Sequence, residues 1–168
     1  VVSIDPMLEG FRSLPGFTET PYLLGNLMAR IRMVTLYYYA NRDHRIVCGT
    51  SNRSEYMLGY STKYGDSAAD IQPLLHLYKT DIYVSARELG IPEPIIRKVP
   101  SAGLWAGQSD EKEIGLSYAE IDSALRVLEE NSWRAENSTE EKVLSLVKKS
   151  GHKRMPAPNL LAVSQREG

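Results

Sequence analysis

"RIVCGTSNRSEYMLGYSTKYGD", residues 45–66, is the stretch whose reading decides the fold. Its first six residues, 45–50, are largely apolar and predict a strand that a parallel sheet would bury on both faces. Thr50 then stands at the carboxyl end of that strand, and residues 51–58 predict a short helix opening from it. Residues 59–76 show no clean periodicity. The segment after the strand is polar, with Glu55, Lys63 and Asp66 set among hydroxyls, glycines and tyrosines. In open α/β sheets ligands sit outside the carboxyl ends of the strands. The stretch is therefore either a surface loop or the edge of a site.

Working outward, "VVSID" at 1–5 is β-branched and reads as a second strand, followed by a short helix over 6–14 and the turn "PGFTE". The chain starts there without a methionine, so it is expected to be the later part of a longer polypeptide. Thr20 can cap the next helix, with Pro21 at a first position where its missing N–H costs nothing. Leu24, Leu27, Met28, Ile31, Val34 and Tyr38 then follow the spacing of one buried face over 21–40, with Arg30 and Arg32 on other faces. The three tyrosines 37–39 suit a core face or a subunit interface equally. A helix over 80–89 stops at Gly90 and Pro92, and a shorter one spans 93–98. Residues 99–116 form a long segment rich in Gly, Ser and charge, a length that is more often functional or mobile than a plain connector. Ser117 with Glu120, and Ser138 with Glu141, make capping boxes for helices over 117–130 and 139–150. The tail beyond is expected to be extended. Strands alternating with helices predict a single α/β domain over 1–168, a parallel sheet with flanking helices.

At 168 residues, 42% apolar and 24% charged, with mean hydropathy −0.32, the composition is that of an ordinary globular domain. A formal net charge of −1 gives no global pull towards nucleic acid or an anionic membrane, so an anion site has to be local. No apolar run is long enough for a membrane helix, and no signal peptide is visible. The single cysteine, Cys48, reads as a small core residue on the strand, which suits a reducing cytoplasm; a catalytic thiol is the alternative.

Phosphate-loop, dinucleotide-fold, zinc and serine-hydrolase signatures are all missing from these residues. What remains is a spread of cations (Arg30, Lys63, Lys79, His152, Lys153, Arg154) with the carboxylates Glu55, Asp66 and Asp70. Separate cations around a few hard oxygens suit a polyphosphate with Mg²⁺, since lysine serves phosphate as a point charge and the metal keeps most of its waters. A charged surface contains such sets by chance, so the ordered motifs have to decide.

"GNLMARIRM", "GTSNRSEYMLGYSTKYGDSAADIQPLLHLYKT", "VPSAGLWAGQSDEKEIGLSYAEID" and "HKRMPAP" occur in that order at compatible spacings. Together they closely resemble the NAD synthetase family, in its carboxy-terminal portion, over about residues 20–158. The resemblance implies an adenine nucleotide alpha-hydrolase-like (ATP pyrophosphatase) fold, incomplete at the N-terminus. It implies a ligase that activates the nicotinate carboxylate of deamido-NAD with ATP and Mg²⁺ as an adenylate, after which ammonia displaces AMP to leave NAD. Cytoplasmic homodimers are the expected state.

By that resemblance Thr50, Lys79 and Ser101 contact ATP, and Thr50 is also a candidate helix cap. Arg30, Lys63, Asp70, His152 and Lys153 match positions that bind the dinucleotide, and Glu55 matches a magnesium ligand. Each has an ordinary reading: Arg30 a solvated helix arginine, Glu55 a surface glutamate, Lys79 a lysine before a helix, His152 and Lys153 bases behind a helix C-terminus. Asp66 reads as a turn former, and no catalytic side chain is assigned. The family's S-G-G-x-D-S loop, which holds the ATP phosphates through backbone N–H groups, has no match here. These residues alone are expected to make no NAD. Another amidating ATP pyrophosphatase, such as a GMP or argininosuccinate synthetase, is the second enzyme reading, and a non-catalytic binding or dimerisation piece is the third. Ammonia is favoured over glutamine as nitrogen source because no glutaminase is visible.

Overall fold

A long helix and a separate helical core frame the computed structural model, which describes residues 1–105 and 107–159. The long helix, α2 (Pro21–Arg42), starts where the sequence places it: Thr20 is extended, and its hydroxyl accepts from the Leu23 N–H at 3.2 Å. Before it, α1 (Asp5–Arg12) packs on α2 through the buried Leu8. The core is built by α3 (Arg53–Leu58), α4 (Lys79–Glu88), α7 (Tyr118–Glu130) and α8 (Ser138–Lys149), with α5 (Glu93–Ile96), α6 (Asp110–Ile114) and α9 (Gly151–Arg154) as short connectors. Its centre is Ile121, Leu125 and Leu128 of α7 against Val143 of α8, all 0% exposed. Burying each such side chain contributes roughly 1.5–3 kcal/mol.

A polar network inside this core joins three helices. Asp122 of α7, 2% exposed, accepts from the Ser54 hydroxyl of α3 at 2.5 Å and from the Thr80 N–H of α4 at 2.8 Å. The Ser54 oxygen in turn accepts from the Lys79 N–H at 2.9 Å. The first N–H groups of a helix have no partner within it, and here Asp122 and Ser54 supply acceptors for two of them. The carboxylate also places negative charge at the positive end of α4.

Several expectations fail, each for a local reason. Residues 1–4 are not a strand: Ser3 donates to the Asp5 carboxylate at 2.6 Å and Pro6 sits in the first turn of α1, so the chain turns directly into a helix. Residues 45–50 are not a named strand either. Among the described residues the only sheet-like pairing is a single parallel bridge, Cys48 to Ile71, with Gly49 N–H donating to the Ile71 carbonyl at 2.8 Å. β-Branched residues stay in strands by packing on neighbours, and Ile46 is 62% exposed. Cys48 is exposed rather than a core residue.

The expected face of α2 is also only partly buried. Ile31 is inside with Gly25, Ala29 and Ala40, whereas Val34 and Tyr38 are more than half exposed. At Gly25 the loop 102–105 approaches closely, and a Cβ there would lie 3.0 Å from Leu104. Asn137, not Ser138, caps α8: its side-chain oxygen takes the Glu140 N–H at 3.0 Å. Asparagine is among the best caps, so it wins one residue earlier. The Ser117–Glu120 box forms as read. Part of the tail is α9 rather than extended chain, and residues 160–168 lie outside the described part.

Replacing Asp122 by Ala leaves the Ser54 hydroxyl and an α4 N–H without their acceptor inside the core. We expect a loss of about 2–4 kcal/mol from unpaired buried donors, read as a lower urea midpoint with unchanged slope.

Candidate functional site

The segment after residue 50 is organised by α3. Asn52, 3% exposed, is its cap: Asn52 Oδ1 accepts from Glu55 N–H at 3.0 Å, and Glu55 Oε2 accepts from Asn52 N–H at 3.2 Å. Thr50 is therefore not the cap. Its residue is exposed and lines a cleft of about 450 Å³ between α2 and the segments 47–50, 59–66 and 102–108. The α2 wall carries Ala29, Met33 and Leu36 beside Asn26 and Arg32, and Trp105 lines the cleft close to Gly25.

Glu55 and Lys79 meet where the first turns of α3 and α4 adjoin. Lys79 Nζ donates to Glu55 Oε1 at 2.9 Å, both side chains being 18% exposed, and the ammonium stands 5.0 Å from the Tyr118 ring centroid. The site residues inferred as phosphate contact and metal ligand thus neutralise each other here.

The cations of the substrate set gather around the turn 59–66. Arg30 Nη2 donates to the Lys63 carbonyl at 3.2 Å, Lys63 Nζ to the His152 carbonyl at 2.6 Å, and Lys153 Nζ to the carbonyls of Gly59 at 2.7 Å and Ser61 at 2.5 Å. Burial holds the Lys153 ammonium below its ordinary pKa, against the pull of Asp66. Lys63 and Lys153 line a second cleft of about 350 Å³, and Lys153 borders the first as well. Tyr64 lies in the turn at φ 59°, a conformation uncommon for a bulky residue. Asp66 closes the turn by accepting the Thr62 N–H at 2.7 Å, the role read for it.

The remaining residues are placed apart. Asp70 accepts from the Val47 N–H at 2.6 Å and from the Tyr37 hydroxyl at 3.4 Å, so its carboxylate supports the parallel bridge. Ser101 is exposed, and its hydroxyl accepts the Gly103 N–H at 3.1 Å within its own loop. His152 contributes its carbonyl to the cluster, and its residue is exposed.

Asp110 was not singled out by sequence reasoning. It is 4% exposed; Oδ2 accepts from the Tyr118 hydroxyl at 3.0 Å, and Oδ1 has no partner among the described residues. Burial raises its carboxyl above the ordinary aspartate range, partly opposed by Tyr118 and Lys79. The only signal in the sequence was its place inside "AGQSDE" in the long 99–116 segment.

Two clefts thus flank the helical core, cations gather on the turn 59–66, and Glu55 pairs with Lys79 at the start of α4. The family model for NAD synthase matches residues 1–157. A curated NH₃-dependent NAD⁺ synthetase from Methanoregula boonei is 71% identical over 163 residues, which is 97% of this chain and 66% of that protein. Another from Thermoplasma acidophilum is 46% identical, over 91% of this chain and 63% of its own length. Among solved structures, an NMN synthetase from Francisella tularensis superposes with TM-score 0.83 at 41% identity, over 94% of this chain and 64% of that one. An NH₃-dependent NAD synthetase from Campylobacter jejuni, in complex with nitrate, gives 0.77 at 33% identity, over 95% and 63%. The chain belongs to the NAD synthase family and has that family's fold, and it spans a little under two-thirds of the length of these relatives.

A carboxyl that folding holds above its ordinary pKa binds more protons in the native state, so its contribution to stability falls as pH rises through the native value. Asp110→Asn removes that ionisation. We expect it to melt above the parent at pH 7, with the difference shrinking as the pH falls through the raised native value towards the ordinary aspartate range and gone below it.

Proposed function

We propose that the protein carrying this chain is an ammonia-dependent NAD synthetase. It would adenylate the nicotinate carboxylate of deamido-NAD with ATP and transfer the acyl group to ammonia, releasing pyrophosphate and AMP. The observation that carries the reading is the cation cluster on the turn 59–66, joined with the 71% identity to the Methanoregula relative. A carboxylate is a poor electrophile, and adenylation supplies a leaving group while fixed cations stabilise charge on the phosphates.

In this reading Arg30, Lys63, Asp70, His152 and Lys153 bind the dinucleotide, Lys63 and Lys153 from the lining of the second cleft. Thr50, Lys79 and Ser101 take ATP. Glu55 would hold Mg²⁺. The donor chemistry fits, since magnesium is commonly held by one or two carboxylates plus substrate phosphates, and among the described residues no group of three or more His, Cys, Asp or Glu forms a self-sufficient metal cage. When bound, the ion would neutralise phosphate charge. Lys79 stands ready to exchange Glu55 Oε1 for a phosphate oxygen, which frees that oxygen. We place the missing phosphate loop, and the strands that would extend the Cys48–Ile71 bridge into the expected parallel sheet, in the part of the relatives' length that this chain does not span. The exposed Tyr22, Leu23, Val34 and Tyr38 along α2 support a homodimer. No helix among the described residues is long and apolar enough to cross a membrane.

A second reading, amidation of the mononucleotide rather than the dinucleotide, is favoured by the likeness to the Francisella NMN synthetase. Pyrophosphate release from ATP by the full-length protein separates the two. We expect release only with deamido-NAD present, and sustained turnover only when ammonia is added as well. Equal release with nicotinate mononucleotide supports the second reading, and release without any acid substrate refutes both. Glu55→Gln is expected to cut Mg²⁺-dependent turnover at least tenfold while far-UV dichroism stays unchanged.

A further inference from the structure

Arg154 has no part in the site described so far, yet it makes the densest set of polar contacts near it. Its Nη1 donates to the carbonyls of Tyr56 at 3.2 Å and Met57 at 2.6 Å and to the Ser150 hydroxyl at 2.8 Å. Its Nη2 donates to the Val147 carbonyl at 2.6 Å. Tyr56 and Met57 belong to the last turn of α3, and Val147 to the last turn of α8. The final carbonyls of a helix lack partners within it and carry partial negative charge. One guanidinium therefore caps the ends of two helices at once and ties them together, a task its planar fork suits better than a lysine ammonium.

The join is close. The Ser150 hydroxyl donates to the Val147 carbonyl and also contacts the Met57 carbonyl at 3.3 Å. Gly59 follows α3 at φ 66°, and a Cβ there would lie 2.2 Å from Ser150 Cβ. Immediately beyond this join begins the turn that carries Lys63. Lys153, the neighbour of Arg154, holds that turn by the Gly59 and Ser61 carbonyls, and Lys63 returns to the His152 carbonyl. The turn contains Tyr64 at positive φ, so it needs outside contacts to keep its shape. Arg154 borders the second cleft, but its Nη groups are engaged by protein oxygens.

We propose that Arg154 is a positioning residue for the acid substrate: by joining the carbonyl ends of α3 and α8 it fixes the turn 59–65 and thereby the direction of Lys63. The kinetic part rests on the amidating function proposed above; the structural part does not.

The test uses the full-length protein with Arg154→Met and Arg154→Lys. Amide hydrogen exchange reads the structural claim without any substrate. We expect Tyr60, Thr62 and Gly65 to exchange at least tenfold faster in Arg154→Met, with Ile121 and Leu125 of α7 unaltered. Unchanged exchange in the turn, or equal acceleration in α7, overturns the inference. In steady state KM for the acid substrate should rise at least fivefold, with KM for ATP within twofold of the parent and partial recovery in Arg154→Lys. Proportionate changes in both KM values overturn it as well. Should Arg154→Met not fold, Arg154→Lys and Gly59→Ala, which forces the same join apart, are read by the same exchange pattern against the same criteria. A parent protein that amidates neither acid would refute the proposed function while the exchange result still decides the role of Arg154.

Discussion

The carboxylate of Asp122 is the contact on which the arrangement of the core depends. It sits among apolar side chains of α7, where an unpaired charge would be costly, and both its oxygens are used: one by the Ser54 hydroxyl of α3, one by the Thr80 N–H of α4. The donors it satisfies are themselves groups that would be stranded by burial. Hydrophobic packing alone would let α3 and α4 slide over α7, because apolar contacts have little directional preference. Hydrogen bonds to one fixed carboxylate remove that freedom, and Glu55 and Lys79 come to lie 2.9 Å apart as a consequence.

At the other end of α3 the restraint is cationic. Arg154, Lys153 and Lys63 all donate to backbone carbonyls, so charges that a nucleotide could use also hold the surface on which it would lie. The six-residue α3 is anchored by an asparagine and a carboxylate at its N-terminus and by a guanidinium at its C-terminus. A helix this short has little stability of its own, since nucleation costs more than one turn returns. Its persistence and orientation come from these tertiary contacts.

The helices were legible where local chemistry and periodicity agree. The Thr20–Pro21 start and the Ser117–Glu120 box both appear at the expected places. Strands were not, because a β-branched run becomes a strand only beside a partner, and residues 45–50 have, among the described residues, only the bridge to Ile71. The family was legible through long ordered motifs rather than through spacing, and Arg30, Lys63 and the His152–Lys153 pair, far apart in the chain, meet at one turn. Asp70 and Asp110 show the limit. The first serves the Val47 N–H as a structural acceptor, and the second is a polar letter in a polar loop whose burial nothing nearby in the chain announces.

By itself the sequence determined where most helices begin and end, which family the chain resembles and which residue types gather in its motifs. These follow from interactions spanning a few residues: caps, turn formers and one face of a helix. Only the tertiary structure decided that Asp122 binds three helices together, that Arg154 closes two helix ends, and that Glu55 rests against Lys79. Apart from the contact of Arg154 with Val147, those pairings join groups 24 to 98 positions apart in the chain. Distance along the chain says nothing about them, because they are set by which buried donors and carbonyls are left without partners once the helices have packed.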